Sequence, residues 1–548
     1  MKMPFRSLPV RRRALLPLTL AVTGTALLAG PASASAAQRH HFGPAPLPGN
    51  LLVSRSVYAD NPGAIVPGST VLPPGCTSGC VTATADAGYP EVWNNVLADP
   101  SFGITSRIYL DQLTPSGRQL STLAVPDGPG LGMSTSFSSK SELALNQSLS
   151  GRQVTFMGYA TTPDTIDASN SSTPGAVDPT DPVPSSYYRV VAQLDSQGRF
   201  RFTNTNAYSG NNGRAAILND TRGANVIYTS GNAGNGSNPQ PDGIISGTGA
   251  QILTPARRPQ FRQKVPAATP VGSFSVTQLG DKADKVGKDT NFRGMTIFNN
   301  VVYYTKGSGS NGVNTVYFVD TTGTACPSGT GLPAPGAPLP ASPIAYNPSL
   351  LQTQGVFPYN MCVLQGFPTA LKSATSFPFG IWFASARTLY VADEGNGDTT
   401  FSATSGSYAG AAAQTTAGLQ KWVLSNGSWQ LAYTLSGGLN LGTPYTVPGY
   451  PAGDNPATGL PWAPATDGLR NITGRVNPNG TVTIWGITST VSGDGDQGAD
   501  PNKLVVVTDR VSALTAPAGE RFTTMRTAAD REVLRGVSFT PGTPASRR

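Results

Sequence analysis

An all-β, six-bladed β-propeller is the fold that three features of the 548-residue sequence predict. Short runs of β-branched and aromatic residues recur in a fixed order, which is the signature of strands. Glycine (63) and proline (48) punctuate these runs, as expected of a turn-rich chain. The two ends carry complementary halves of one repeat unit. Low charge (12%) with 38% hydrophobic content argues against disorder by charge repulsion. His40 and His41 are the sole histidines, which excludes a multi-histidine metal centre and disfavours a Ser-His-Asp hydrolase.

Residues 1–36 read as an export signal. Lys2, Arg6, Arg11, Arg12 and Arg13 precede the apolar stretch Ala14 to Gly30, and Ala34-Ser35-Ala36 supplies a small-x-small cleavage site. The apolar stretch contains Pro17 and ends at small residues, so no membrane anchor is expected. The protein should be secreted and extracellular, in a bacterial style, with Sec and twin-arginine export both open. Cleavage after Ala37 would present Gln38-Arg39-His40, a chelator of Cu(II) or Ni(II); cleavage after Ala36 destroys that spacing. Residues 37–49 form an extended lead-in, 50–541 the propeller and 542–548 a tail.

Removal of the signal leaves 33 Lys and Arg against 30 Asp and Glu, so the formal charge falls from +8 to +3. No basic run follows the signal, and nucleic acid is not an expected partner. Four cysteines in an exported chain suggest disulfides. Three connectivities are open. The local one, Cys76–Cys80 with Cys326–Cys362, is favoured because each pair is local in sequence, and a zinc site is disfavoured because neither pair has the usual two-residue spacing. In the chain-entropy model the second bridge contributes roughly 4 kcal/mol.

In each repeat a first strand turns into a second. The pairs are Ser141–Leu145 with Val154–Met157, Arg214–Leu218 with Asn225–Tyr228, and Arg293–Ile297 with Val301–Tyr304. Phe379–Phe383 with Thr388–Val391 and Arg470–Arg475 with Val482–Trp485 continue the series. Third strands follow as Tyr188–Leu194, Thr315–Val319, Leu419–Leu424 and Leu504–Thr508. At the C-terminal end Arg535–Phe539 is a first strand without a second. At the other end Leu51–Tyr58 is a second strand without a first, with Arg107–Leu113 as its third. Joined, they complete a sixth unit and close a ring, which removes exposed sheet edges. Seven blades is the alternative count, and two β-sandwiches the alternative architecture.

Phe377-Pro378-Phe379-Gly380-Ile381, followed by Leu389-Tyr390-Val391-Ala392-Asp393-Glu394-Gly395-Asn396, resembles an NHL-type propeller repeat. The other units match it loosely. The whole chain resembles a group of secreted bacterial propeller proteins. This resemblance implies architecture; relatives of such folds include lactonases, scaffolds and modules that bind proteins or glycans.

Loops from second to third strands, and from one blade to the next, emerge on one face of a propeller. Here the former are long, so a ligand site is expected on that face, over the channel. Asp393, Glu394, Asn396 and Asp398 lie in one such loop, and Asp494, Asp496 and Asp500 in another. Alternating Asp and Gly can supply the oxygens Ca2+ needs, although neither loop fits the EF-hand. Tight turns use the same residues.

Cations recur where first strands begin: Lys140, Arg214, Arg293, Arg470 and Arg535. Equivalent positions converge on one rim of the channel, where guanidinium groups either bond a neighbouring blade or bind a carboxylate or phosphate. The sequence lacks the Ser-x-Asp-x-Gly-x-x-Trp boxes of bacterial sialidases and the many channel carboxylates of phytase-like propellers. Glu142 is the one acidic residue at a first-strand start, a lead towards the metal-binding carboxylates of gluconolactonase-like enzymes. The expected function is binding of an extracellular ligand (a glycan, a peptide or an anionic small molecule) by a monomer. The alternative is a metal-dependent hydrolase or lactonase at the channel mouth.

Overall fold

Six antiparallel sheets stand where the sequence places its six repeats. The computed structural model describes residues 44–58, 65–85, 89–90, 98, 103–128, 132–136, 142–175, 183–221, 223–232, 249–256, 291–307, 313–325, 329–340, 361–369, 376–494 and 498–544. All belong to one unit spanning 42–548. The expected signal peptide with its cleavage site, and His40 and His41, lie outside the described residues.

The first blade is the composite one. From the channel outward it runs Glu532–Phe539, Leu51–Val57, Thr105–Leu113 and Gln119–Ala124. Its register pairs Leu51 with Phe539 and Val57 with Glu532. The second blade contains Asn146–Gln147, Gln153–Tyr159, Arg189–Asp195 and Phe200–Thr205. The third has Gly213–Asn219, Val226–Gly231 and Ala250–Leu253 among the described residues. The fourth has Met295–Phe298, Val301–Lys306, Thr315–Val319 and Met361–Leu364. The fifth is Pro378–Ser385, Thr388–Asp393, Gly418–Ser425 and Ser428–Leu435; the sixth is Ala465–Val476, Thr481–Val491, Lys503–Arg510 and Thr523–Thr527. Each inner strand packs against the next, and that of the sixth blade against Glu532–Phe539. The ring closes with six blades, which settles the count against seven and excludes a pair of sandwiches.

The seams between blades repeat a device. A hydroxyl on a second strand donates to a main-chain carbonyl of the next inner segment: Ser54 to Leu143, Thr155 to Ala216, Ser230 to Arg293 and Thr305 to Phe379. Between the sixth blade and the first, Asn471 Nδ2 donates to the Arg535 carbonyl at 2.6 Å. Close approach at these seams requires glycine. A Cβ on Gly294 would overlap the Phe379 carbonyl, and one on Gly536 would overlap that of Leu143. The apolar core lies between blades, the largest cluster joining the third, fourth and fifth through residues such as Tyr228, Tyr304, Phe318 and Trp422.

One local expectation is corrected. The inner strand of the second blade was predicted at Ser141–Leu145, but the ladder forms at Asn146–Gln147. Leu143 sits at φ 63° and its carbonyl is taken by Ser54, so this stretch serves the seam rather than its own sheet. A segment rich in Pro, Gly and Ala begins at residue 329. Its Thr330–Gly331 pairs in parallel with Met361–Leu364 and extends the fourth blade. Pro340 then accepts a hydrogen bond from Tyr228 of the third blade.

Cys76 and Cys80 form a disulfide, as the local pairing expects. It staples the hairpin Val71–Leu72/Val81–Thr82. Cys362 is also disulfide-bonded, and Cys326 lies outside the described residues. Among the described residues no helix is long and apolar enough to cross a membrane.

Candidate functional site

Arg214 stands at the start of its inner strand and Arg293 just before its own, whereas Arg470 and Arg535, expected at strand starts, lie midway along Ala465–Val476 and Glu532–Phe539; each is at most 8% exposed. Lys140 lies outside the described residues. In a propeller, equivalent side chains of the inner strands approach a common axis. Glu394, at the end of the second strand of the fifth blade, lies between two of the arginines. Its carboxylate is 3.7 Å from Arg293 Nε and 3.3 Å from Arg470 Nε. Arg214 donates through Nη1 to Asn291 Oδ1 and, at 3.0 Å, to the carbonyl of Phe292, both at the start of the fourth blade. Arg535 donates to Ser56 Oγ at 3.2 Å and to the Tyr58 hydroxyl at 2.8 Å.

Glu142 is fully buried. Thr135–Ser136 pairs with the start of Thr105–Leu113 and brings two donors to it. Glu142 Oε2 accepts from Thr135 Oγ1 at 2.6 Å and from the Ser136 amide at 2.9 Å, while Oε1 accepts from the Tyr159 hydroxyl. Burial pushes its carboxyl up to about 7, against the opposing pull of these donors and the nearby Arg535. The Tyr159 ring stacks beneath the Arg189 guanidinium, which is itself held by the carbonyls of Ser169, Ser171, Tyr187 and Asn211.

The arginines feel each other. Burial holds Arg214 well below the usual guanidinium range, and Arg293 pushes in the same direction; Glu394, Tyr159 and Glu142 oppose it. Arg293 is lowered by burial and by Arg470, with Glu394 opposing.

In the loop from Asp393 to Asp398 the side-chain oxygens accept from nearby turn amides. Asp393 is buried and accepts from the amides of Phe377 and Gly395, from Ser376 Oγ and from Gln420 Nε2. Burial raises its carboxyl to about 6 despite these donors. Asn396 Oδ1 accepts from the Asp398 amide, and Asp398 Oδ1 from the Thr400 amide. Asp467 accepts from Gly397 N and Gln414 Nε2. In the other loop Asp500 accepts from Ser492 Oγ at 2.8 Å, and the Tyr450 hydroxyl lies 3.4 Å from both Asp494 and Asp500. Asp496 lies outside the described residues. Among the described residues no group of three or more His, Cys, Asp or Glu is placed to hold a metal ion.

A further charged cluster, not foreseen from sequence, ties the fifth blade to the sixth. Lys421 and Asp509 have no exposed side-chain surface and pair at 3.0 Å. Asp509 also accepts from the hydroxyls of Tyr390 and Tyr433, and Lys421 donates to the Arg510 carbonyl at 2.7 Å. Burial works to raise Asp509, but hydrogen bonds from Glu520, Tyr390, Tyr433 and Lys421 hold it below the usual carboxylate range. Burial, then the shared bond and charge of Asp509, push Glu520 up to about 7.

These carboxyls set a pH dependence. Glu142, Asp393 and Glu520 are raised in the folded state, so their contribution is full below about pH 4 and is lost as pH rises through 6 to 7. Chemical denaturation at pH 5 and pH 8 should show the protein weaker at pH 8, with Glu142 contributing about 3 kcal/mol of the difference. Glu142→Gln should reduce that slope; an unchanged slope would show that Glu142 does not carry the titration.

The sequence matches no known family profile, and no curated protein matches it significantly. Solved structures give distant likenesses. An oxidoreductase described as a glucose dehydrogenase, from Thermus thermophilus, is 12% identical, with 77% of this chain and 92% of that chain covered and a TM-score of 0.30. A polysaccharide lyase of a ulvan lyase family is 12% identical, with 88% and 95% covered and a TM-score of 0.29. The hemagglutinin-neuraminidase ectodomain of parainfluenza virus 5 is 11% identical, with 80% and 77% covered and a TM-score of 0.27. At these values no argument about function or about an NHL family follows.

Proposed function

We propose that this chain is a secreted β-propeller that binds an anionic extracellular ligand at the rim of the central channel, on the loop-rich face. The observation that carries the reading is a set of four buried arginines, of which Arg293 and Arg470 share Glu394 while Arg214 and Arg535 reach Glu142 by charge alone. Ring closure alone does not need so many cations, because the seams are already bonded by hydroxyls and an amide. Arginine presents a planar fork of donors that suits carboxylate and phosphate alike. The metal-dependent hydrolase alternative draws no support from the donors around Glu142, which are hydroxyls and an amide.

Thermal protection tests the proposal. Phosphate and glucuronate should raise the melting temperature at low ionic strength, and neutral glucose should not. Ligand at a hundredfold excess over Kd is worth about 2.7 kcal/mol, which is readily measured. Sodium chloride should weaken the protection. The double change Arg293→Ala and Arg470→Ala should abolish it. Should that variant fail to fold, Arg214→Gln, which leaves both contacts to Glu394 in place, should reduce it. The absence of protection by either anion in the unmodified protein would refute the proposal.

A further inference from the structure

The charges of the rim follow an order around the ring. Blades one to six present Arg535, Glu142, Arg214, Arg293, Glu394 and Arg470 in turn. The carboxylates stand three blades apart, on opposite sides of the channel, and each is flanked by two arginines. Two Arg–Glu–Arg triads therefore face each other, and with both carboxylates ionised each triad keeps one surplus positive charge. Asp393 and Asp467, the nearby acids, face backbone amides and glutamines instead. At the seam between the third and fourth blades Arg214 feels the charge of Arg293, and at the seam between the sixth and first the inner strand carrying Arg470 packs against the one carrying Arg535.

The seams differ in their donors. Arg535 directs Nε and Nη2 to Ser56 and Tyr58. Arg214 is 96% buried, yet its Nε has no hydrogen-bond partner among the described residues. A buried guanidinium donor left unmade, next to a like charge, costs more than either defect alone. An anion placed between Arg214 and Arg293 removes both. A carboxylate carries one charge and would leave the ring one positive charge in excess. A phosphate monoester carries close to two at pH 7 and presents three acceptor oxygens.

We infer that the ligand of this rim carries a phosphate monoester, seated at the seam between the third and fourth blades against Arg214 and Arg293. This rests on the anion-binding reading and narrows it to a dianion at one place.

Calorimetry on the full chain, at matched ionic strength and pH 7.5, tests it with methyl phosphate, a dianion, against dimethyl phosphate and acetate, which are monoanions. Methyl phosphate should bind at least about tenfold tighter than either, as expected where a second charge meets a buried guanidinium. Arg214→Gln should remove that preference. Arg214→Lys, which keeps the charge without the fork, should keep the preference and lose affinity. Inorganic sulfate stays doubly charged across this range and reports the ring itself. Its binding should weaken as pH rises from 6 to 8 and Glu142 ionises among Thr135, Ser136, Tyr159, Arg214 and Arg535. In Glu142→Gln sulfate binding should be tighter at pH 8 and nearly flat with pH. Equal binding of monoanions and dianions overturns the dianion while leaving anion binding intact. Retention of the preference in Arg214→Gln overturns the location. Binding of no anion at all removes the underlying reading. If Arg214→Gln does not fold, Arg214→Lys and the sulfate profile of Glu142→Gln decide.

Discussion

Deleting residues 532–548 is expected to abolish cooperative unfolding and to leave an aggregating chain. The deletion removes the inner strand of the composite blade, whose partner Leu51–Val57 would become an open sheet edge. Val533, Leu534, Val537 and Phe539 are buried, and burial of each such side chain contributes about 1.5–3 kcal/mol. Their combined loss is on the order of the whole stability of a typical domain. The same strand anchors a charge network. Glu532 and Asp111 both pair with Arg55 and with Arg526, which belongs to the outer strand of the sixth blade. Circular dichroism melts of the truncated and intact chains provide the comparison. A melt like that of the intact protein would show that the ring is held without its closing strand.

The second large effect is expected at Lys421. Replacing it by methionine keeps the aliphatic stem and leaves Asp509 buried beside Glu520 without its cation. Breaking a buried pair in this way costs about 3–5 kcal/mol. The loss should be larger at pH 8 than at pH 5, because Asp509 and Glu520 can share a proton at the lower pH. Arg199→Ala, at an exposed pair with Asp195, should change stability by less than about 1 kcal/mol. Urea denaturation at both pH values measures all three quantities. A loss at Lys421 no larger than that at Arg199 would mean that the buried cluster contributes nothing beyond a surface pair.

Much of this architecture is legible in the sequence because it repeats. Runs such as Val301–Tyr304 and Thr388–Val391 appear as strands within a residue or two of their observed limits, and the pairing of the two chain ends follows from Arg535–Phe539 lacking a second strand. The recurring arginines are legible for the same reason: they occupy one phase of the sequence repeat. Glu394 is not, as a partner of Arg293 and Arg470, because it comes from a different strand and acts across a blade boundary. Glu142 stands out as the one acid among first-strand starts, but its cradle of Thr135, Ser136 and Tyr159 is assembled by tertiary folding. The loop around Asp393 shows the limit of composition, since turns and calcium loops use the same residues. Its carboxylate proves to be occupied by backbone amides. Lys421 and Asp509 sit in strands far apart in sequence, and alternation alone does not reveal that both face inward.

The order of strands along the chain has a consequence for biosynthesis. A ribosome makes Leu51–Val57 early and its inner partner Glu532–Phe539 only after every other blade has been translated. Until then the nascent protein is an open arc with unsatisfied backbone at one end, a shape that invites pairing with another chain. Thr540 and Gly542, just beyond the closing strand, bond the carbonyls of Asn50 and Gly151, in the first and second blades. Completion of the ring thus waits on the last strand of the propeller to be translated. A message truncated before residue 532 would yield a product with five intact repeats and no closed circle, which cellular quality control could distinguish from the closed ring by its exposed strand alone.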